Sequence, residues 1–147
     1  MKAETEAVTD DEWLLRRIRI EQFRTGRLPI ISPNAFEPRI RGREPDTDGI
    51  SFYRKACLDD VKDVLSTIAA ERRHEFGIVQ IPVSLVHALS LSVEIRIDGR
   101  VQGHVVIPEL NSLAYAENKS RFTSMKERLA VAASEESNIL VSPTPSA

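Results

Sequence analysis

Between residues 77 and 108 the chain reads GIVQIPVSLVHALSLSVEIRIDGRVQGHVVIP, the densest run of β-branched residues in the sequence. Side chains of a strand alternate between two faces, so Val93, Ile95 and Ile97 share one face while Glu94 and Arg96 take the other. Beyond the Asp98-Gly99 turn signal, Val101, Val105 and Ile107 fall on one face and Gln102 and His104 on the opposite one. A two-residue Asp-Gly loop would set Ile95 against Gln102 and Val93 against His104, which mixes the faces. The register therefore demands an odd loop, and three residues, 98–100 or 97–99, restore apolar against apolar. In the first version Glu94 faces His104, in the second Ser92 does. Ahead of this hairpin, residues 77–81 read as a buried strand, and Pro82 suits the start of a two-turn helix over 83–89. Ser90 stands where a helix-ending glycine is usual.

The rest of the chain is expected to assemble around that core. Residues 1–9 read as a frayed lead. Thr9 or Asp10 can cap a helix that carries Trp13, Leu14, Leu15 and Ile18 inward, with Asp11 and Glu12 at its positive end. The alternation Ile18-Arg19-Ile20 suits a strand equally well, so the type of residues 15–20 stays open. Residues 28–49 hold Pro29, Pro33, Pro38 and Pro45, which exclude a long helix or a central strand. A loop of that length in a compact domain is usually functional or disordered, and Ile30, Ile31, Phe36 and Ile40 favour one that packs on the core. Residues 49–54 (GISFYR) read as a strand with Ile50 and Phe52 on one face, Ser51 and Tyr53 on the other. Residues 58–76 carry Leu58, Val61, Leu65 and Ile68 at helical spacing, acids at the start and bases at the end, with Gly77 as the stop. Residues 109–133 form a second helical stretch, broken near the polar run 117–121. Residues 134–147 form a Ser/Pro/Thr tail whose apolar patch, 138–141, could dock on a partner.

These elements define one α+β domain over residues 10–133: a small, mostly antiparallel sheet of about four strands packed by two or three helices. A length of 147 residues suffices for a real core, and 41% hydrophobic with 29% charged residues is ordinary globular composition. The net charge of −2 argues against nucleic-acid binding by bulk electrostatics. The one cysteine, Cys57, excludes an internal disulfide and fits a reducing compartment. The acidic opening MKAETEAVTDDE has no apolar run, so a cytoplasmic setting without a membrane anchor is expected.

Charge is nevertheless local. Residues 13–43 carry eight arginines (16, 17, 19, 24, 27, 39, 41 and 43) against Glu21 and Glu37, whereas residues 44–76 hold eight acids and five bases. Arginine suits bidentate contact with phosphate or carboxylate. The two segments can also neutralise one another, and aromatic interleaving is limited to Trp13, Phe23 and Phe36. Of the histidines, His74 closes a helix, His87 reads as a partly buried core residue, and His104 sits on the non-core face beside a Glu94 partner that could orient it for acid-base work. Cys57 has no activating base nearby. There is no phosphate-binding glycine loop, dinucleotide fingerprint, nucleophile elbow or paired Cys or His cluster, so neither a metal nor a cofactor is expected.

The strand reading of residues 15–20 followed by GISFYR resembles the opening of an ADP-ribosyltransferase-type fold, whose later glutamate motif has no match here. That resemblance implies a small enzyme or nucleotide-binding domain using His104 and Glu94 with Tyr53 and an arginine such as Arg54 or Arg17. The residues themselves favour a non-catalytic protein-interaction module whose partner is another protein. It would bind through the loop 28–49, with Arg39, Arg41, Arg43 and Phe36, together with Arg17, Arg54 and the exposed sheet face. A basic-patch nucleic-acid binder is the remaining alternative.

Overall fold

The computed structural model describes residues 1–39, 46–98 and 100–144. Among these, six strands form one antiparallel sheet: β1 (Trp13–Arg19), β2 (Ile50–Arg54), β3 (Phe76–Pro82), β4 (Glu94–Ile95), β5 (His104–Ile107) and β6 (Ile139–Val141), in the order β4-β5-β2-β1-β3-β6. The expectation of about four strands is thus exceeded by two. One is β1, where the capped helix from Thr9 or Asp10 gives way to a central strand that pairs with β3 along its whole length, Trp13↔Pro82 to Arg19↔Phe76. A central strand buries both faces and loses the clean alternation that marks a half-exposed one, which is why WLL reads ambiguously. The other is β6, which lies in the expected tail and pairs Ile78↔Val141 and Val79↔Ile139.

The sheet is covered on both sides. On the first face Leu14, Ile50, Phe52, Val79, Ile81, Val105 and Ile107 pack with Phe36 and with Tyr115, Phe122 and Leu129 of the helices α2 (Ser112–Glu117) and α3 (Lys119–Ala133). The break expected near 117–121 is one residue, Asn118, which ends α2 and whose side chain accepts from the Arg121 amide at the start of α3. On the second face a smaller cluster joins Leu15, Tyr53 and Ile78 to Val64, Leu65 and Val101. Val101 therefore lies on the face opposite Val105 and Ile107, contrary to the alternation read for it.

The cover of the second face is where the helical reading of residues 58–76 fails. Two 3-10 turns, Val61–Leu65 and Ala70–Glu75, replace the expected α-helix. Carbonyls that an α-helix would give to its own amides go instead to guanidinium groups: Arg17 donates to Val64 O at 3.3 Å, and Arg73 to Ile68 O at 2.8 Å and Ser66 O at 3.2 Å. Nor does Gly77 stop a helix. It lies inside β3, where a Cβ would stand 2.6 Å from the Val141 carbonyl oxygen, so the glycine admits β6 alongside. The short helix α1 (Val83–Ala88) forms as expected after Pro82, and Ser90 takes φ 61°, the left-handed conformation that the missing glycine would have supplied.

The hairpin keeps the parity that the face argument demanded but not the loop length. Glu94 pairs with Val106 and Ile95 with Val105, and the Arg96 amide donates to His104 O at 2.9 Å. Five residues, 98–102, separate the arms in that register, two more than either three-residue loop. Glu94 consequently faces Val106 rather than His104. Gly99, the residue expected at the turn, lies outside the described residues, as do residues 40–45 with Arg41 and Arg43.

The lead 1–9, expected to fray, is tied to the domain. The Lys2 amide donates to Ala56 O, and the buried Arg54 guanidinium donates to the carbonyls of Glu4, Glu6 and Ala7. No helix among the described residues is long and apolar enough to cross a membrane.

Candidate functional site

Period-two alternation on β2 sends Ser51 and Tyr53 to the second face, opposite Ile50 and Phe52. Because β5 pairs with β2 as Ser51↔Val106 and Tyr53↔His104, the His104 ring lands on the same face and stacks on Tyr53, centroids 5.3 Å apart at 27°. Both ring nitrogens are engaged: Nδ1 lies 2.9 Å from Asp98 Oδ2, and Nε2 lies 2.9 Å from Ser51 Oγ. Asp98 is itself steadied, since its Oδ1 accepts from the Arg100 amide two residues on, at 3.1 Å, as in an Asx-turn. Partial burial would raise the Asp98 carboxyl, but that amide and the facing imidazole outweigh it and hold the group below its usual range.

An ionised carboxylate only accepts hydrogen bonds, so the proton on His104 belongs to Nδ1. In the neutral ring Nε2 is then the acceptor and the Ser51 hydroxyl the donor. The result is a directed chain, Ser51 to His104 to Asp98, on one face of the sheet.

The space beside it comes from a splay between strands. Pairing of β1 with β2 stops after Leu14↔Arg54 and Leu15↔Tyr53, and the Arg16 guanidinium enters the gap, donating to Ser51 O and Ala35 O, each at 2.7 Å. Its head lies 5.4 Å from the Phe52 centroid and 5.9 Å from that of Phe36. Burial lowers its pKa to about 10, so it remains charged at neutral pH. Arg16 thus fixes the backbone of Ser51. Arg17, one residue on and facing the other way, lies 5.5 Å over the Tyr53 ring and donates to Thr67 Oγ1 at 2.9 Å.

A cleft of about 310 Å³ opens over Ser51, Tyr53 and His104, walled by Arg17, Arg39, Arg96 and Arg100 together with Asp46, Asp48 and Asp98. A larger depression of about 730 Å³ shares Arg17, Arg39, Ser51, Tyr53 and Arg100 with it and runs on past Arg19 toward Asn34 and Glu37. Two of the three acids are engaged within the wall. Asp46 accepts from the Arg39 amide at 2.6 Å, and Asp98 is held by His104 and the Arg100 amide.

The structure therefore gathers His104, Tyr53, Arg17 and Arg39 from among the residues singled out in the sequence. Of the other described ones, it separates Glu94, Arg54 and Phe36. Glu94 is exposed and pairs with Arg96 at 3.2 Å. Arg54 is fully buried against Glu12, at 2.8 and 2.9 Å, and Phe36 is 1% exposed in the first core. Within the arginine-rich segment, Arg24 bonds the Pro29 carbonyl at 2.7 Å and Arg19 pairs with Glu21 at 3.3 Å, so its charges do not form one stripe. His87, read as a core residue, is instead exposed and lies 2.5 Å from Asp10. Cys57 is buried, and that burial pushes its thiol up, away from reactivity.

Ser51 and Asp98 escaped the sequence reading as site residues. The signal for Ser51 was present, since alternation had already set it beside Tyr53. Asp98 was read only as a turn former, and its reach to His104 depends on a loop length that sequence did not supply. Among the described residues no group of three or more His, Cys, Asp or Glu side chains could hold a metal ion. Comparison with family models, with curated proteins and with solved structures finds no match.

Proposed function

We propose that this protein is an interaction module that captures an anionic group of a partner protein, a carboxylate or a phosphate, in the cleft on the second face of the sheet. One observation carries the reading: Arg17, Arg39, Arg96 and Arg100, brought from β1, the middle of the proline-rich loop and the β4–β5 hairpin, surround a single cleft whose floor is Tyr53 and His104. Guanidinium groups bind oxyanions through paired donors, and aromatic rings give such a site a flat wall at little conformational cost. Two of the three acids beside them, Asp46 and Asp98, are engaged with the Arg39 and Arg100 amides and with His104. Arg96 pairs with Glu94 and the Arg39 guanidinium lies 3.9 Å from Asp46, so the reading puts the ligand between Arg100 and the Arg17 nitrogens not bonded to Thr67 and Val64. The reading retains the sheet face and Arg39 from the proline-rich loop, and it moves binding away from Phe36 and Arg54, which are interior.

The test is a two-dimensional amide NMR titration of the full chain with inorganic phosphate and with a phosphoserine-containing peptide, the unphosphorylated peptide serving as control. Shifts confined to residues around Tyr53, Arg100 and His104, saturating at or below about 1 mM, are expected. Arg17→Ala combined with Arg100→Ala should weaken binding at least tenfold, and added salt should do the same. No response to inorganic phosphate or to either peptide, or shifts scattered over the surface, would remove the cleft from the argument.

A further inference from the structure

We propose that the cleft is also catalytic, with Ser51 as nucleophile, His104 as general base and Asp98 as the residue that orients His104, acting on esters whose acyl group carries an anionic substituent. The preference for an anionic acyl group rests on the binding reading above; the relay does not.

Cross-strand polar pairs are common on any solvated sheet face, and a single His–Ser contact would carry no weight. Four features set this one apart. Both ring nitrogens are committed at 2.9 Å, one to a carboxylate and one to a hydroxyl, in the order that activates the hydroxyl. The imidazole plane is set by the Tyr53 ring beneath it. The carboxylate is fixed by its own turn through the Arg100 amide, and the Ser51 backbone by Arg16. Finally, the hydroxyl opens into a cleft large enough for a small ester, where strands β1 and β2 part. A nucleophile, a base that reaches it, a group that orients the base and an adjoining space are four of the geometric requirements of acyl transfer; the fifth, donors for the oxyanion, falls to the guanidinium groups lining that space.

The reaction balances with water as the second reactant. Ser51 Oγ forms a bond to the acyl carbon as its proton passes to His104 Nε2, and charge gathering on the carbonyl oxygen faces the guanidinium groups of the wall. The carbon–oxygen bond to the leaving group then breaks, and the departing alkoxide takes the proton from Nε2. Water attacks the acyl-Ser51 ester and gives its proton to Nε2. That proton returns to Ser51 Oγ as the carboxylic acid leaves. Asp98 stays ionised throughout and stabilises the imidazolium formed in each half.

The full chain is treated with diisopropyl fluorophosphate and the adduct located by peptide mass spectrometry, alongside hydrolysis of two p-nitrophenyl esters, acetate and one whose acyl group ends in a carboxylate. Adduct on Ser51, absent from Ser51→Ala and slowed on the order of a hundredfold in His104→Gln and Asp98→Asn, is expected. Hydrolysis of the carboxylate-bearing ester should exceed that of the acetate. Circular dichroism melts of the three variants establish that they are folded, and Asp98→Asn, exposed at the surface, serves if the His104 change does not fold. No adduct on Ser51, equal labelling of other serines, or labelling indifferent to Asp98→Asn overturns the relay. Phosphate-induced shifts at the cleft without labelling would sink catalysis and leave binding standing. Labelling of Ser51 without phosphate binding or preference for the charged ester would do the reverse.

Discussion

Glu12 and Arg54 meet in the interior through two hydrogen bonds, Oε1 to Nε at 2.8 Å and Oε2 to Nη2 at 2.9 Å, with side chains 2% and 0% exposed. Burial alone would raise the Glu12 carboxyl, but Arg54, the Thr9 amide and Lys2 more than offset it and hold the pKa at about 2. A folded-state value below the ordinary 4.5 means that the unfolded chain takes up a proton first as pH falls. The contribution is therefore complete above about pH 4.5, amounts to about 3 kcal/mol, and is lost as pH falls toward 2. Glu12→Gln leaves a buried guanidinium without its counter-charge and should cost about 3 kcal/mol at pH 7. Urea midpoints from pH 7 to pH 2 should show the variant and the parent converging at the acid end. A constant gap would mean that the pair contributes packing rather than charge. Seen from sequence, Arg54 ends GISFYR like a surface terminus, and Glu12 looks like a helix-opening acid. Only the register Leu14↔Arg54 shows that the two share a face, and register is a long-range property. His104 was legible because alternation is local, and its true partner Asp98 was not because loop length is not.

At the scale of elements, local patterns predicted best where the pattern and the burial agree. The strand Ile50–Arg54, the helix Val83–Ala88 with Ser90 as its left-handed end, and the interruption at Asn118 all follow from a few neighbouring residues. Residues 58–76 did not, because helical spacing of Leu58, Val61, Leu65 and Ile68 is also satisfied by two short turns laid over one sheet face. Arginines decided between them by taking the carbonyls, Arg17 from the distant strand β1 and Arg73 from within the segment itself. The strand β6 was hidden for a different reason: three apolar residues between Ser- and Pro-rich stretches carry no periodicity to measure. Its role is to cover the edge of β3, with Gly77 giving it room. Ending the chain at Asn138 should therefore destabilise the fold by about 3 kcal/mol, from the apolar surface of Ile139, Leu140 and Val141. It should also leave a bare strand edge that associates as protein concentration rises. Thermal melts and light scattering over a concentration series would check both. A truncated chain that melts like the parent and stays monomeric would show that β6 merely rests on the sheet.

The molecule as a whole is a sheet with a firm centre and light edges, and the cleft lies across that gradient. β1 and β3 have a strand on each side and a core above and below, whereas β4 contributes two residues at an open edge. Amide exchange should follow this order. Amides of β1 and β3 are expected to open only with global unfolding, and those near β4 at a cost lower by on the order of 2 kcal/mol. Ser51 belongs to β2, next to the centre, His104 to β5, and Asp98 to the hairpin beyond β4, so the carboxylate and Arg100 sit on the least protected part of the site. Ligand bound in the cleft would bridge Arg17 on the rigid strand and Arg100 in the yielding hairpin loop. Free energy of binding then appears as protection of the weaker partner. Saturating phosphate should slow exchange of the Arg96 and Arg100 amides, the first bonded to His104 O and the second to Asp98, while leaving the amides of β1 unchanged. Uniform slowing across the sheet would place the anion elsewhere, and no slowing at those two amides would mean that the hairpin does not close on what the cleft holds.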